Sequence, residues 1–186
     1  MVNSAEDYRQ IAATFTDRVV GVAPDGWDVP TPVPEWTARD VVRHLIDWLP
    51  EVLGAPVAEV PSVDADPVLA WRTHSDGVQR LLDTPAEDQP MISNPHFGEL
   101  PAGQVVAMLY TPDVFMHTWD LARATGQDDR LDPQRCAAGL AGAEPAEEAM
   151  RSSGQFGPRV PVPDDAPVQD RMLGFIGRDP SWQPPR

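Results

Sequence analysis

A chain of 186 residues is long enough for one domain with a sizeable hydrophobic core and no need of disulfide staples. Its 29 acidic and 14 basic residues leave a formal charge of −15, which argues against nucleic acid and membrane surfaces as partners. The one cysteine, Cys136, permits no internal disulfide. With no charged-then-apolar leader and no apolar run of bilayer length, a reducing, cytoplasmic location is expected.

The first periodic segment runs from about Ser4 to Val20. Tyr8, Ile11, Phe15, Val19 and Val22 recur at spacings of three and four, so one apolar stripe faces a core. Ser4, with Asp7 three residues on, is the expected N-cap. Residues 24–34 are proline-rich and cannot continue a helix. A second helix starts at Thr37, where Thr37 and Asp40 have capping-box spacing. Its stripe is Val41, His44 or Leu45, Trp48 and Val52, which places His44 on the buried face.

Asp66-Pro67 opens a third helix with proline at the favoured first position. It carries Trp71, His74, Val78 and Leu81 and ends at Asp83-Thr84-Pro85. Residues 90–101 are expected to form a loop. A helix that is apolar nearly all round then runs from Val105 to Gly126, with Pro112 expected to kink or break it. A fifth helix is expected from Asp132-Pro133 to about Met150. An extended tail follows from Phe156 to Pro163, then a short helix from Asp165 or Ala166 to Gly177. The pattern predicts an all-α bundle, with an extra short C-terminal helix and extended tail, forming a single domain over residues 1–186.

The residues with the clearest chemical promise lie in the fourth long helix. Asp113 and His117 are four apart and therefore share a face, where a carboxylate and an imidazole can chelate one metal ion. His44 is the best placed third ligand. Two histidines and a carboxylate leave coordination positions open, as catalytic sites do. The plainer readings are an Asp113–His117 hydrogen-bonded pair and a core histidine at 44. His74, also on an apolar stripe, is a fourth ligand, a base behind the ligands or, preferably, a partly exposed core edge. Asp120, three residues after His117, either orients that ring or pairs with Arg123. Trp48 and Trp119 are core residues or line a pocket, His96 is a surface loop residue that would contact substrate if its loop caps the site, and Cys136 is a buried or inert thiol. Phosphate-cradling glycine loops, a dinucleotide fingerprint, a G-x-S-x-G elbow and CxxC are all absent.

Two stretches, Trp36-Thr37-Ala38-Arg39-Asp40-Val41-Val42-Arg43-His44-Leu45 and Asp113-Val114-Phe115-Met116-His117-Thr118-Trp119-Asp120-Leu121-Ala122-Arg123-Ala124-Thr125-Gly126, carry a resemblance. They resemble an actinobacterial branch of the DinB-like superfamily, the group related to the N-terminal, metal-binding domain of mycothiol-dependent maleylpyruvate isomerase. The ending, Phe156-Gly157-Pro158 through Gly177-Arg178-Asp179-Pro180, resembles the same branch. The resemblance implies a DinB-like four-helix bundle with His44, Asp113 and His117 as ligands, Asp113 standing where the isomerase has glutamate. It implies a low-molecular-weight thiol, mycothiol, as co-substrate, with a small-molecule electrophile as the other partner. The leading expectation is a divalent-metal-dependent, S-transferase-like enzyme, with zinc or nickel preferred over iron or manganese. The alternatives are a non-catalytic metal- or ligand-binding bundle acting through a partner, and a metal hydrolase. A homodimer is a candidate assembly.

Overall fold

Asn3 opens the first helix, α1 (Ser4–Val20), because its side-chain oxygen accepts the Ala5 amide. The cap thus falls one residue before the expected Ser4. In the computed structural model, which describes residues 3–95, 97–152 and 156–185, the α1 stripe of Tyr8, Ile11, Phe15 and Val19 is buried throughout. Phe15 meets Trp71 edge-on at a centroid distance of 4.5 Å. Each such side chain, once fully buried, contributes roughly 1.5–3 kcal/mol of hydrophobic stabilisation.

The second helix, α2 (Ala38–Leu53), starts at a complete capping box. Thr37 Oγ1 accepts the Asp40 amide and Asp40 Oδ2 accepts the Thr37 amide. The third, α3 (Pro67–Asp83), is capped by Asp66, whose carboxylate accepts the Leu69 amide; Pro67 sits where its missing N–H costs nothing.

Residues 90–101 hold a hairpin in place of the expected loop. In it β1 (Met91–Asn94) pairs antiparallel with β2 (Gly98–Pro101), setting Ile92 opposite Leu100. Pro90, Pro95 and Pro101 obscure these four-residue strands, yet a two-stranded ribbon tolerates proline at its ends because no ladder partner is lost there. Helices hold 58% of the described residues, so the fold is mostly helical despite the hairpin.

The chain continues as a helix in three parts: α4 (Ala102–Val105), a π-helical turn (Val106–Tyr110) and α5 (Thr111–Ala124). The disturbance expected at Pro112 takes this form. Pro112 has no N–H for the Met108 carbonyl and its ring would crowd it, and the widened turn, in which the Thr111 amide reaches back to Val106 O, relieves both problems. At the other end, the Gln127 amide bonds Ala122 O around Gly126, which takes a φ of 69°.

Beyond it, α6 (Pro133–Ala143) is capped by Asp132. It stops well short of Met150 because Pro145 turns the chain into a 3-10 segment before α7 (Glu147–Ser152). The last helix, α8 (Val168–Phe175), starts after Pro167, slightly later than expected.

Helix α1 packs on α3 and α5, and α2 packs on the same two helices. Their shared interior is the main core, around Tyr8, Phe15, Leu45, Leu49, Trp71 and Tyr110. A second core joins Trp119 of α5 to Cys136 and Leu140 of α6 and to Met172, Leu173 and Phe175 of α8. Serving both cores explains why α5 is apolar on nearly every side. No helix among the described residues is long and apolar enough to cross a membrane.

Candidate metal centre

The packing of α2 against α5 brings His44 to Asp113 and His117. His44 Nε2 lies 3.1 Å from Asp113 Oδ2, and His117 Nε2 lies 3.5 Å from Asp113 Oδ1. One donor atom from each residue falls within 4.8 Å of the other two, which makes a possible His/Asp/His metal site. An ion bound to nitrogen and oxygen at about 2.0–2.2 Å holds neighbouring donors about 3–3.5 Å apart, so the carboxylate–imidazole spacings suit one ion. The His44 and Asp113 side chains remain 29% and 19% accessible while His117 is buried, so the group opens to solvent on the His44 side.

Burial pushes the Asp113 carboxyl up, but the adjoining His117 and His44 and the indole N–H of Trp48 outweigh it. Its pKa falls below the ordinary carboxylate value, and it is an anion at neutral pH. Trp48 Nε1–H donates to Asp113 Oδ2 over 3.0 Å. Trp48 is therefore a half-buried hydrogen-bond partner of the group, whereas Trp119 is a fully buried core residue.

Behind His117 stands a chain of contacts reaching to the C-terminal segment. His117 Nδ1 is 2.9 Å from Asp120 Oδ2, and Arg178 grips both oxygens of that carboxylate, with Nε 2.9 Å from Oδ1 and Nη2 3.0 Å from Oδ2. Burial raises the Asp120 carboxyl, yet the Arg178 guanidinium and His117 together outweigh burial and hold it below its ordinary value. An ionised carboxylate only accepts. His117 therefore holds a proton on Nδ1, and its other nitrogen, Nε2, faces Asp113 and His44. The alternative pairing of Asp120 with Arg123 does not form. Arg123 lies over the Trp119 ring and its Nε is 2.8 Å from Asp129 Oδ2.

Trp36 lies against the group although no helical period marks it. Its ring stacks on His117 with centroids 5.7 Å apart and comes within 4.8 Å of His44. The preceding Glu35 takes a φ of 67°, the one positive value outside glycine among the described residues. The Thr31 amide bonds Trp36 O, which fastens the loop that delivers the indole. Arg178 has no local sequence signal either: it lies 58 residues from Asp120, beyond any helical periodicity.

His74 is not at a core edge. It is fully buried, with the Trp71 and Tyr110 rings at 6.4 and 5.7 Å and no hydrogen-bond partner on either ring nitrogen. Burial lowers its pKa to about 4, so it is neutral, and it stands outside the three-residue group. Cys136 is buried; burial, helped by Asp132, pushes its thiol up to about 11, as suits an inert residue. His96 lies outside the described residues.

A family model described as "Mycothiol maleylpyruvate isomerase N-terminal domain" matches residues 8–122, a span that holds His44, Asp113, His117 and Asp120 but not Arg178. The chain belongs to this family. Relatives of this member of the mycothiol maleylpyruvate isomerase N-terminal domain family occur among the actinobacteria. It is similar to two uncharacterized proteins of Mycobacterium tuberculosis, from strains CDC 1551 / Oshkosh and ATCC 25618 / H37Rv. Each is 32% identical over 168 residues, covering 88% of this chain and 91% of the relative. No solved structure matches.

Proposed function

We propose that this protein is a divalent-metal-dependent enzyme that activates a low-molecular-weight thiol, mycothiol, for S-transfer or thiol-assisted isomerisation. The observation that carries the reading is the convergence of His44, Asp113 and His117 within 4.8 Å, with His117 oriented by Asp120. The family's description, which names mycothiol, supports the thiol class. In this reading α1, α2, α3 and α5 are the four helices of a DinB-like bundle, and the C-terminal helices belong to the same single domain.

His44, Asp113 and His117 would hold the ion, zinc or nickel on general affinity grounds, and three protein ligands leave room for a small molecule. When bound, such a cation lowers the pKa of a coordinated thiol so that the nucleophile exists at neutral pH. Asp113 supplies a negative charge beside the two imidazoles, and Trp48 fixes its rotamer. Asp120 fixes the ring of His117. Trp36 covers both imidazoles and limits the approach of water. In S-transfer the sulfur gives its electron pair to the electrophilic carbon, a C–S bond forms, and the leaving group departs with the bond's electrons while the thiol proton passes to solvent.

Reconstitution with zinc or nickel, followed by mycothiol consumption in the presence of 1-chloro-2,4-dinitrobenzene, tests this reading. Metal-dependent consumption that disappears in His44→Ala is expected. Thiol loss that is equal with and without metal would contradict it, and ester turnover without thiol would point to a metal hydrolase.

One observation favours a second reading. Asp113 is already engaged by His44, Trp48 and His117. A cluster so self-contained suits a non-catalytic metal- or ligand-binding bundle that acts through a partner, in which bound metal would bring no turnover.

A further inference from the structure

The contacts that orient His117 do not end within residues 8–122, the span that the family model matches. They end on Arg178, just past α8. Three features fix that residue at the backbone level. Gly177 takes a φ of 88°, and a side chain there would crowd Gly157 Cα and Pro158 O at 3.1–3.2 Å. The Arg178 amide bonds Leu173 O over 2.8 Å, and Val160 N–H bonds Gly174 O, strapping the extended tail across α8. The same helix is anchored to Trp119 of α5 through Met172, Leu173 and Phe175. Arg178 thus reaches Asp120 from a rigid mount, with 16% of its side chain accessible against 1% for Asp120.

One oxygen decides what the pair does. Asp120 Oδ2 accepts from His117 Nδ1 at 2.9 Å and from Arg178 Nη2 at 3.0 Å, while Arg178 Nε holds the other oxygen. The two-point grip sets the plane of the carboxylate, and that plane sets where His117 finds its acceptor. A tie that served only to dock α8 on α5 would not need to share this oxygen.

We infer that Arg178 is a positioning residue for the metal centre, acting through Asp120 on the ring of His117. The inference rests on the metal-binding reading above. It assigns the C-terminal segment a role in the site: a residue beyond the matched span sets the direction of a ligand nitrogen within it. Partners of this kind govern metal affinity by roughly 10–100-fold.

The test uses the full chain and five forms of it: wild type, Arg178→Met, Arg178→Lys, Asp120→Asn and the double variant Asp120→Asn/Arg178→Met. Zinc affinity is measured by competition with a chromophoric chelator, and cobalt is used to read ligand geometry from its visible absorption. The metal-free proteins are compared by the downfield imidazole N–H signal of His117 in proton NMR. Arg178→Met is expected to bind zinc about 10–100-fold more weakly, to alter the cobalt band and to broaden or lose the His117 signal. Arg178→Lys, which keeps the charge but not the two-point grip, should recover part of the affinity.

In the Asp120→Asn background, removing Arg178 should cost less than about twofold, because the route to His117 is already weakened. That double variant strands no buried charge, so it carries the comparison if Arg178→Met fails to fold. Wild-type zinc affinity, cobalt spectrum and His117 signal in Arg178→Met would overturn the inference, as would losses that multiply fully in the double variant. If the wild type takes up no zinc or cobalt, the metal reading falls, while the His117 signal still decides whether Arg178 orients that ring.

Discussion

His117 and Asp120 stand one helical turn apart on α5, their Nδ1 and Oδ2 atoms 2.9 Å apart in an interior where neither side chain is more than 5% exposed. The pair joins two structural obligations. Asp120 balances the Arg178 charge, and it also settles which nitrogen of His117 faces Asp113.

Replacing Asp120 with alanine removes both functions together. Arg178 is left as an unpaired cation in a largely buried setting, which costs about 3–5 kcal/mol of stability. Denaturant unfolding should show that loss. Metal affinity should fall by roughly 10–100-fold in the same variant. Asp120→Asn keeps an acceptor for His117 and should lose less of each.

His74 makes the protein acid-sensitive in a defined window. Its buried ring stays neutral down to about pH 4, whereas in the unfolded chain it takes up a proton near pH 6.5. Between these values the unfolded state binds more protons, so stability is complete above about pH 6.5 and falls as the pH drops toward 4. The shift corresponds to on the order of 3 kcal/mol. Asp113 and Asp120, both held below the ordinary carboxylate value, act in a lower window: their contribution is complete above about pH 4 and is lost as the pH falls further. Thermal unfolding from pH 7 to 4.5 should therefore show a declining melting temperature in the wild type and a flatter profile in His74→Leu. An equally steep decline in both would remove His74 as the cause.

Cys136 should be a slow thiol. Burial with Asp132 nearby keeps it protonated to about pH 11, and the thiolate is the reactive form. Native protein at pH 8 should react with a maleimide at least about a hundredfold more slowly than unfolded protein. Rapid labelling of the native state would show that the second core opens readily.

Trp36 offers an optical report on the site. Its indole lies against both His44 and His117. Nickel or cobalt binding should quench tryptophan emission, and Trp36→Phe should remove a large part of that quenching while weakening metal affinity less than about tenfold. Unchanged quenching in the variant would assign the signal to Trp48.

Much of the fold could be read from the sequence because helices announce themselves locally. Thr37 with Asp40, Asp66 with Pro67, and Gly126 after an apolar run all mark helix ends by backbone rules that need no tertiary information. The three grouped residues were accessible for a related reason: Asp113 and His117 follow helical spacing, and His44 lies near the apolar stripe of α2. The hairpin was hidden because four-residue strands between prolines show no alternation. The depth of His74 depends on how Tyr110 and Trp71 close around it, which no pattern within α3 encodes. Arg178 and Trp36 reach the site through a chain reversal and a loop with one left-handed residue. Their roles are long-range facts, visible only once the helices have packed.

The most direct test is the metal content of protein purified without chelators or a histidine tag, measured by elemental analysis beside the His117→Ala variant. Near-stoichiometric zinc or nickel in the wild type and little in His117→Ala is the predicted result. No metal in the wild type, even after reconstitution with either ion, would contradict the account and leave His44, Asp113 and His117 as a hydrogen-bonded cluster within a binding protein.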